Sequence, residues 1–391
     1  MMCVFLHWAS LGWAWTPQVQ TRSVNVMDYG AVGDGKTNDD QAFLKAWKVA
    51  CASATPAMLL IPGKLFLLNP VAFQGPCMSK IHVQISGYIS APKGRYTSEI
   101  DHWISFHRVK GLVIQGPGTI NGQGHIWWKW KSDGGSNSRA PTVLFLNSCD
   151  DVLIHELRII NSPKMHMVVH GCTAVTISKV TVAAPKDSPN TDGIHVEYSN
   201  WVEISSSVIG TGDDCISIGT NTSNVNIWQI MCGPGHGISI GSLGQPHMPA
   251  AVESVRVSDC TIQDAMYGVR IKTKPGGSGF VRGIIFENIK ISSSENPIFI
   301  DQYYANGGHN YVRNKPGVSI SDVMFRNVWG TLRGTSAITL NCSDTVWCSN
   351  IQLQRVYLKS EDFKQSAVSN CYNVHGTFSQ VDNPPVCISS H

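Results

Sequence analysis

Short apolar segments of alternating pattern recur along this chain from about residue 80 onward. One series runs Val152–Ile154, Val175–Ile177, Val202–Ile204, Val225–Ile227, Val255–Val257, Ile284–Phe286 and Val323–Phe325, with starts 23, 27, 23, 30, 29 and 39 residues apart. A second series interleaves with it: Ile194, Ile216, Ile238, Val269, Ile298 and Ile338, at gaps of 22, 22, 31, 29 and 40. Alternation of apolar and polar residues marks strands with one buried face. Two interleaved columns with a coil of 22 to 31 residues predict an all-β, parallel β-helix. A single coil cannot bury its apolar face alone; stacked coils can. Longer coils carry insertions such as Tyr303–Lys315, expected as loops. A doubly wound α/β fold would need helical segments where this chain is rich in Gly, Ser and Asn.

One helix stands out near the start. Thr37-Asn38-Asp39-Asp40 offers an N-cap and an acidic first turn. Ala42, Phe43, Ala46, Trp47, Val49 and Ala50 follow at helical spacing, up to about Cys51. A solenoid leaves its end coils open, so this short helix is placed as the N-terminal cap. Cysteine-clamped loops after residue 340 are expected to close the other end. No linker interrupts the chain, so residues 23–391 read as one catalytic domain and residues 1–22 as an atypical, signal-like leader. Met1–Trp15 is apolar and aromatic, with no basic start or clean cleavage site, and is too short to span a membrane.

Composition adds a compartment. The chain has 391 residues, 12 cysteines and a net charge of +3. There is no Cys-x-x-Cys and no Cys/His knuckle, so metal spacing is absent. Cys342/Cys348, Cys371/Cys387, Cys215/Cys232 and Cys51/Cys77 are spaced for local bridges, which fits a secreted protein. Cys149, Cys172 and Cys260 fall at core positions of the repeat. The small charge, without basic runs, argues against nucleic acid. No membrane partner is expected, and a monomer is expected from a solenoid with covered ends.

The second column carries the chemistry. Asp192 in Asn190-Thr191-Asp192-Gly193, Asp214 in Gly212-Asp213-Asp214-Cys215 and His236 in Gly235-His236-Gly237 each stand two residues before an apolar pair, in steps of 22. Stacked rungs lie about 4.8 Å apart, so these groups share one face. Carboxylates that close repel one another and split their pKa values. On the next coil, Val269 and Ile271 point inward, which sends Arg270 and Lys272 outward beside His195, Ser217 and Ser239. The acids sit where strict alternation would turn them inward, and the adjoining glycines imply a turn that resets their direction. Inverting glycosidases need one carboxylic acid to protonate the leaving oxygen and one carboxylate to activate water. A crowded trio retains a proton at mildly acidic pH, and two cations suit an anionic sugar. An isolated Asp-Asp is ordinary turn chemistry, and exposed cations are an ordinary solvated face. Their common register argues for the site.

Ser188-Pro189-Asn190-Thr191-Asp192-Gly193, Gly210-Thr211-Gly212-Asp213-Asp214-Cys215, Cys232-Gly233-Pro234-Gly235-His236-Gly237 and Arg270-Ile271-Lys272 together resemble the polygalacturonases of glycoside hydrolase family 28, plant type. Asp28-Tyr29-Gly30-Ala31 with Gly33-Asp34-Gly35 is similar to the entry of pectin-active β-helices. The resemblance covers residue 23 to the C-terminus. It implies a right-handed parallel β-helix that hydrolyses α-1,4-galacturonan of the plant cell wall with inversion. It implies Asp213 as general acid, Asp192 and Asp214 as activators of water, and His236 as support for the acid. Arg270 and Lys272 would hold galacturonate carboxylates, and Asn190 would bind substrate. The family's active-site tyrosine corresponds to Tyr304, with Tyr303 adjacent. No metal or cofactor is implied. Ala305 stands where the plant pattern often has a cysteine, which removes or rewires one familiar bridge.

Other readings have discriminating features. Hydrolysis of a decorated pectin, rhamnogalacturonan or xylogalacturonan, keeps the acids; the Arg270/Lys272 pair argues against rhamnogalacturonan. A pectate lyase wants calcium and a basic proton abstractor. An inert pectin-binding β-helix predicts loss of an acid, and all three are present.

Overall fold

The computed structural model describes residues 21–94, 101–135, 140–304 and 315–388. Most of the leader, Ala305 and most of the Tyr303–Lys315 insertion lie outside the described residues.

Both apolar columns form as parallel sheets in the expected register. Val152 pairs with Val175, Val175 with Val202, Val202 with Val225, Val225 with Val255, Val255 with Ile284 and Ile284 with Val323. Ile194 pairs with Ile216, Ile216 with Ile238, Ile238 with Val269, Val269 with Ile298 and Ile298 with Ile338. This second column is an 11-stranded sheet, here called the floor sheet. The coils begin earlier than the repeat suggested: Arg22 pairs with Ala57, and Ala57 with Ile81. A third column, not evident from spacing, runs through Ile89, Ile120, Ile159, Val182, Ile209 and Cys232. Its strands are about three residues long, too short for alternation to register.

The inward residues of all three columns merge into one continuous core. Between columns the chain bends at left-handed residues. Asp151, Ala174, Trp201, Asn224, Ser254 and Asp322 all have φ near +55°, each just before the first-column residue of its rung. Cys149, Cys172 and Cys260 are free and buried in the core, as expected. The four expected bridges are present: Cys51–Cys77, Cys215–Cys232, Cys342–Cys348 and Cys371–Cys387.

Helix α1 (Asp40–Cys51) covers the N-terminal coil with Ala42, Phe43, Ala46, Trp47 and Ala50. Phe43 meets Phe66 edge-on at 5.3 Å, and Trp47 lies 5.0 Å from Phe73. Its start differs from expectation in its bonding. Thr37 and Asn38 belong to a strand, and Asp39 is the N-cap residue without a side-chain capping bond. The buried Asp39 carboxylate instead accepts from the backbone N–H groups of Val32 (2.7 Å) and Gly33 (3.2 Å), closing the preceding loop. At the far end the coils continue to Asn383; the Cys342–Cys348 bridge lies within these last coils, and Cys371–Cys387 ties the segment after Asn383 back to the floor sheet, where Val386 and Ile388 pack against the core. A second helix, α2 (His125–Ser132), was not foreseen. Its Gly124 start has no capping side chain, and its tryptophans mask the helical period.

Candidate active site

Five floor strands carry the site: β1 (Met167–His170), β2 (Ile194–Glu197), β3 (Ile216–Ile218), β4 (Ile238–Leu243) and β5 (Tyr267–Thr273). Register places His195, Ser217, Ser239 and Arg270 in one outward row, as the alternation predicted. Asp192, Asp213, Asp214 and His236 precede their strands, in the bends that lead into β2, β3 and β4. There the backbone is free to turn each polar side chain outward. Gly237 makes one such bend possible. Its φ is +80°, and a Cβ there would come within 2.2 Å of the Gly268 carbonyl oxygen.

Each buried acid is held by a serine of the next coil. Ser217 Oγ donates to Asp192 Oδ2 at 2.9 Å, and Ser239 Oγ donates to Asp214 Oδ1 at 2.8 Å. Asp214 also accepts from Arg270 Nη2 at 2.5 Å and Lys272 Nζ at 2.8 Å. Arg270 and Lys272 point outward yet are only 3% and 6% exposed, so they are not a solvated face. Tyr267 covers the Arg270 guanidinium, its ring centroid 4.0 Å away. Both cations thus neutralise an acid of the site itself.

Asp213 faces the other way. Its Oδ1 accepts from the Asp214 backbone N–H at 2.8 Å and lies 3.0 Å from His236 Nδ1. Its Oδ2 receives a longer bond from Asn190 Nδ2, 3.3 Å. Asn190, at φ +57°, is itself held by Lys131 Nζ from α2.

The protons are unevenly shared. Burial, then the charges of Asp213 and Asp214, push Asp192 up to about 7. Burial also raises Asp213, but the hydrogen bond and charge of His236, with Lys272, outweigh it and hold Asp213 down at about 2. Of the trio, Asp192 is therefore the member pushed toward its protonated form and Asp213 the one held toward its ionised form.

A cleft of about 330 Å3 opens over these groups, lined by Asn190, Asp192, Asp213, Asp214, Lys272 and Tyr304. Arg270 is buried behind Asp214, and the half-buried His236 adjoins Asp213. Tyr304 faces the cleft, 5.3 Å from Lys272 Nζ. Tyr303 is buried, its hydroxyl accepting from the Asp344 backbone N–H. His195, Glu197, Ser217 and Lys131 escaped the sequence reading as chemical groups. His195 and Ser217 were visible only as positions in the outward row, and nothing local marks Lys131. A larger groove of about 720 Å3 lies on the first-column face, around Trp201, Glu203 and Arg256, away from the acids.

Asp213, Asp214 and His236 bring ligand atoms within 4.8 Å of one another. The donor set does not suit a cation. Both Asp214 oxygens are taken by Arg270, Lys272 and Ser239, and two fixed positive charges adjoin the spot.

Residues 51–381 match the model of the Glycosyl hydrolases family 28. A polygalacturonase from Malus domestica is 42% identical over 375 residues, covering 94% of this chain and 80% of that protein. An exopolygalacturonase from Platanus acerifolia is 40% identical, covering 93% and 97%. Among solved structures, an endo-xylogalacturonan hydrolase from Aspergillus tubingensis superposes with a TM-score of 0.78 over 94% of this chain and 99% of that one, at 24% identity, a likeness of fold. With the family model matching residues 51–381 and 42% identity to a curated relative across 94% of this chain, the chain belongs to the glycosyl hydrolases of family 28.

Proposed function

We propose that this protein is a polygalacturonase: it hydrolyses α-1,4-galacturonosyl linkages of pectin in the cell wall with inversion, using Asp213 as acid and Asp192 as base toward water. The observation that carries this reading is the convergence of Asp192, Asp213 and Asp214 with Lys272 on one cleft. A glycosidase needs two carboxyl groups whose environments differ, so that each can hold a different protonation state.

In the reaction, water attacks the anomeric carbon and loses a proton to Asp192. The glycosidic C–O bond breaks, and its oxygen takes the proton of Asp213. The resting state must rearrange first, because its proton lies on Asp192. An arriving polyanion raises Asp213, since negative neighbours favour the protonated form. His236 Nδ1, 3.0 Å from Asp213 Oδ1, is placed to supply that proton. Both oxygens of Asp214 accept from fixed donors, Ser239, Arg270 and Lys272. Its role is to hold Arg270 and Lys272 and to fix the field under the cleft. Lys272 and Tyr304 line the cleft and would meet the sugar directly, with Asn190 opposite. Arg270 would reach a galacturonate carboxylate only by leaving Asp214. Four disulfides support secretion, and no helix among the described residues is long and apolar enough to cross a membrane. In this reading the enzyme acts as a monomer and needs no cofactor.

Product analysis on de-esterified polygalacturonan near pH 5, with chelator present, tests the reading against Asp213→Asn. Saturated products that disappear in the variant support it. Unsaturated products mean a lyase, and no product from the folded protein refutes the activity. Oligomers or monomer alone distinguish endo from exo action.

A further inference from the structure

Asp192 must be ionised to accept a proton from water, yet its surroundings keep it protonated. It is flanked by Asp213 and Asp214, and only 8% of its surface is exposed. The proton needs somewhere to go. Asp192 Oδ2 is 2.9 Å from Ser217 Oγ, and Ser217 Oγ is 2.7 Å from His195 Nδ1. On the far side, His195 Nε2 lies 3.5 Å from Glu197 Oε2. Glu197 Oε1 in turn lies 3.0 Å from His170 Nδ1. The row runs from the buried acid to the half-buried Glu197 and His170 at the edge of the cleft.

We propose that His195 is a positioning residue that withdraws the proton of Asp192 through Ser217, and that Glu197 holds the resulting imidazolium. The inference rests on Asp192 being the base of the hydrolysis. In one state the Asp192 carboxyl donates to Ser217 Oγ, and the Ser217 hydroxyl donates to His195 Nδ1. In the other, the carboxyl proton has passed to Ser217 Oγ, and the former Ser217 proton has passed to Nδ1. Asp192 is then an anion accepting from Ser217, and His195 is a cation donating from both nitrogens. Two O–H bonds have broken, one O–H and one N–H have formed, and the net charge is unchanged while an anion and a cation now stand where two neutral groups stood. His195 never touches substrate in this scheme.

The row is built for this passage. Ser217 has a hydroxyl that can both donate and accept, and almost no exposure, so water does not replace it. Glu197 is held down at about 2, first by its hydrogen bond to His195, so it stays an anion in the acidic range where pectin is a polyanion. On the preceding coil the neighbour of His195 is apolar, Val168. The remaining charged groups that face Asp192 are Asp213, Asp214 and Lys272, and those that face His195 are Glu197 and, beyond it, His170. One coil on, the serine that holds Asp214, Ser239, meets Arg270 of the following coil instead of a histidine, a group that cannot exchange its proton. The same scaffold thus makes Asp214 a fixed charge and Asp192 a switchable one.

The test is the acid limb of the pH profile of kcat on polygalacturonan, for the wild type, His195→Gln and Ser217→Ala. Activity of the wild type comes first; without it the hydrolytic reading fails, whatever the row does. Given activity, His195→Gln keeps a hydrogen-bonding side chain but cannot take up a proton. The acid limb is expected to move up by about one pH unit, with kcat at pH 5 reduced about tenfold and KM little changed. Ser217→Ala is expected to move it by a similar amount, and the double variant no further. A limb that stays in place in His195→Gln overturns the proposal. A shift in His195→Gln with none in Ser217→Ala also overturns it, because the charge of His195 would then act through space. Should either variant fail to fold, nitrogen-15 NMR of the wild-type imidazoles decides. His195 must carry both ring protons on the active side of the acid limb, and a His195 that is neutral there overturns the scheme.

Discussion

Asp213 and Asp214 are consecutive in the chain and opposite in environment. Asp214 presents 1% of its side chain to solvent and is closed by two cations, whereas Asp213 presents 16% and meets one histidine and one amide. The Asp214 backbone N–H donates to its neighbour's carboxylate at 2.8 Å, which locks the two side chains apart. This divergence gives a prediction. Asp213→Asn removes the acid and leaves the packing intact, so kcat falls at least about a hundredfold with little change in unfolding. Asp214→Asn leaves Arg270 and Lys272 buried without a counter-charge, which costs about 3–5 kcal/mol. Denaturant unfolding beside kinetics separates them; equal loss of stability in both would contradict the assignment.

Lys131 on α2 reaches across to Asn190, the residue that donates to the free oxygen of Asp213. Lys131→Ala should release Asn190 from its left-handed bend. The expected result is a several-fold loss of kcat/KM with an unchanged unfolding midpoint, since Lys131 is not part of the core. A kinetic assay of the variant on polygalacturonan reads this directly.

The raised Asp192 and the lowered His166 bear on stability with opposite signs. Asp192 keeps its proton in the folded state after the unfolded chain has released it. Its contribution is complete below about pH 4 and is lost as pH rises through about 7. His166 is fully buried and held down at about 4 by burial. Its contribution is present above about pH 6.5 and is lost as pH falls through about 4. The wild-type curve therefore mixes two slopes. Subtracting it from that of Asp192→Asn isolates one: the variant should gain on the wild type between about pH 4 and 7, on the order of a few kcal/mol. A constant difference across that range would show that Asp192 does not hold a proton.

Cys215 follows Asp214 directly and is bridged to Cys232 of the third column. The bridge closes a loop with a sequence separation of 17, for which chain-entropy arguments give about 3 kcal/mol. The Cys215→Ala, Cys232→Ala double variant should unfold at lower denaturant by that margin. It should also lose activity, because the bend that aims Asp213 and Asp214 loses its anchor.

What the sequence disclosed, and what it hid, has a physical pattern. Ile194, Ile216 and Ile238 disclosed the floor because strand pairing demands equal spacing of inward residues. The same register brought Asp192, Asp214, His236 and Arg270 together. Their bonding was hidden. Arg270 and Lys272 looked solvent-exposed, since alternation reports which side of a sheet a residue takes and not what covers it. Tyr267 and Asp214 do the covering. Lys131 and α2 were hidden because they approach from a distant coil with no repeat to announce them. The Asp39 side chain carries the same lesson: the helix starts where the sequence placed it, but the carboxylate is drawn away to the N–H groups of Val32 and Gly33.

The interval from Val152 to Ile159 recurs unaltered as Val175 to Val182, Val202 to Ile209 and Val225 to Cys232, while whole coils vary widely in length. Two earlier coils, Ile81 to Ile89 and Leu112 to Ile120, take one residue more, so this bend varies by a single unit while the rungs stay paired. In the later coils the variation in length falls instead mostly between the floor sheet and the next first-column strand, for example from Ile238 to Val255 and from Ile298 to Val323. Those stretches include Gln245 and Met248, which wall the cleft. Inheritance can therefore reshape the rim by cutting and splicing while the reacting groups below keep their alignment. A protein engineer has the same freedom: loops grafted between the floor and first-column strands should redirect which polymer end or decoration enters, without retuning the acids.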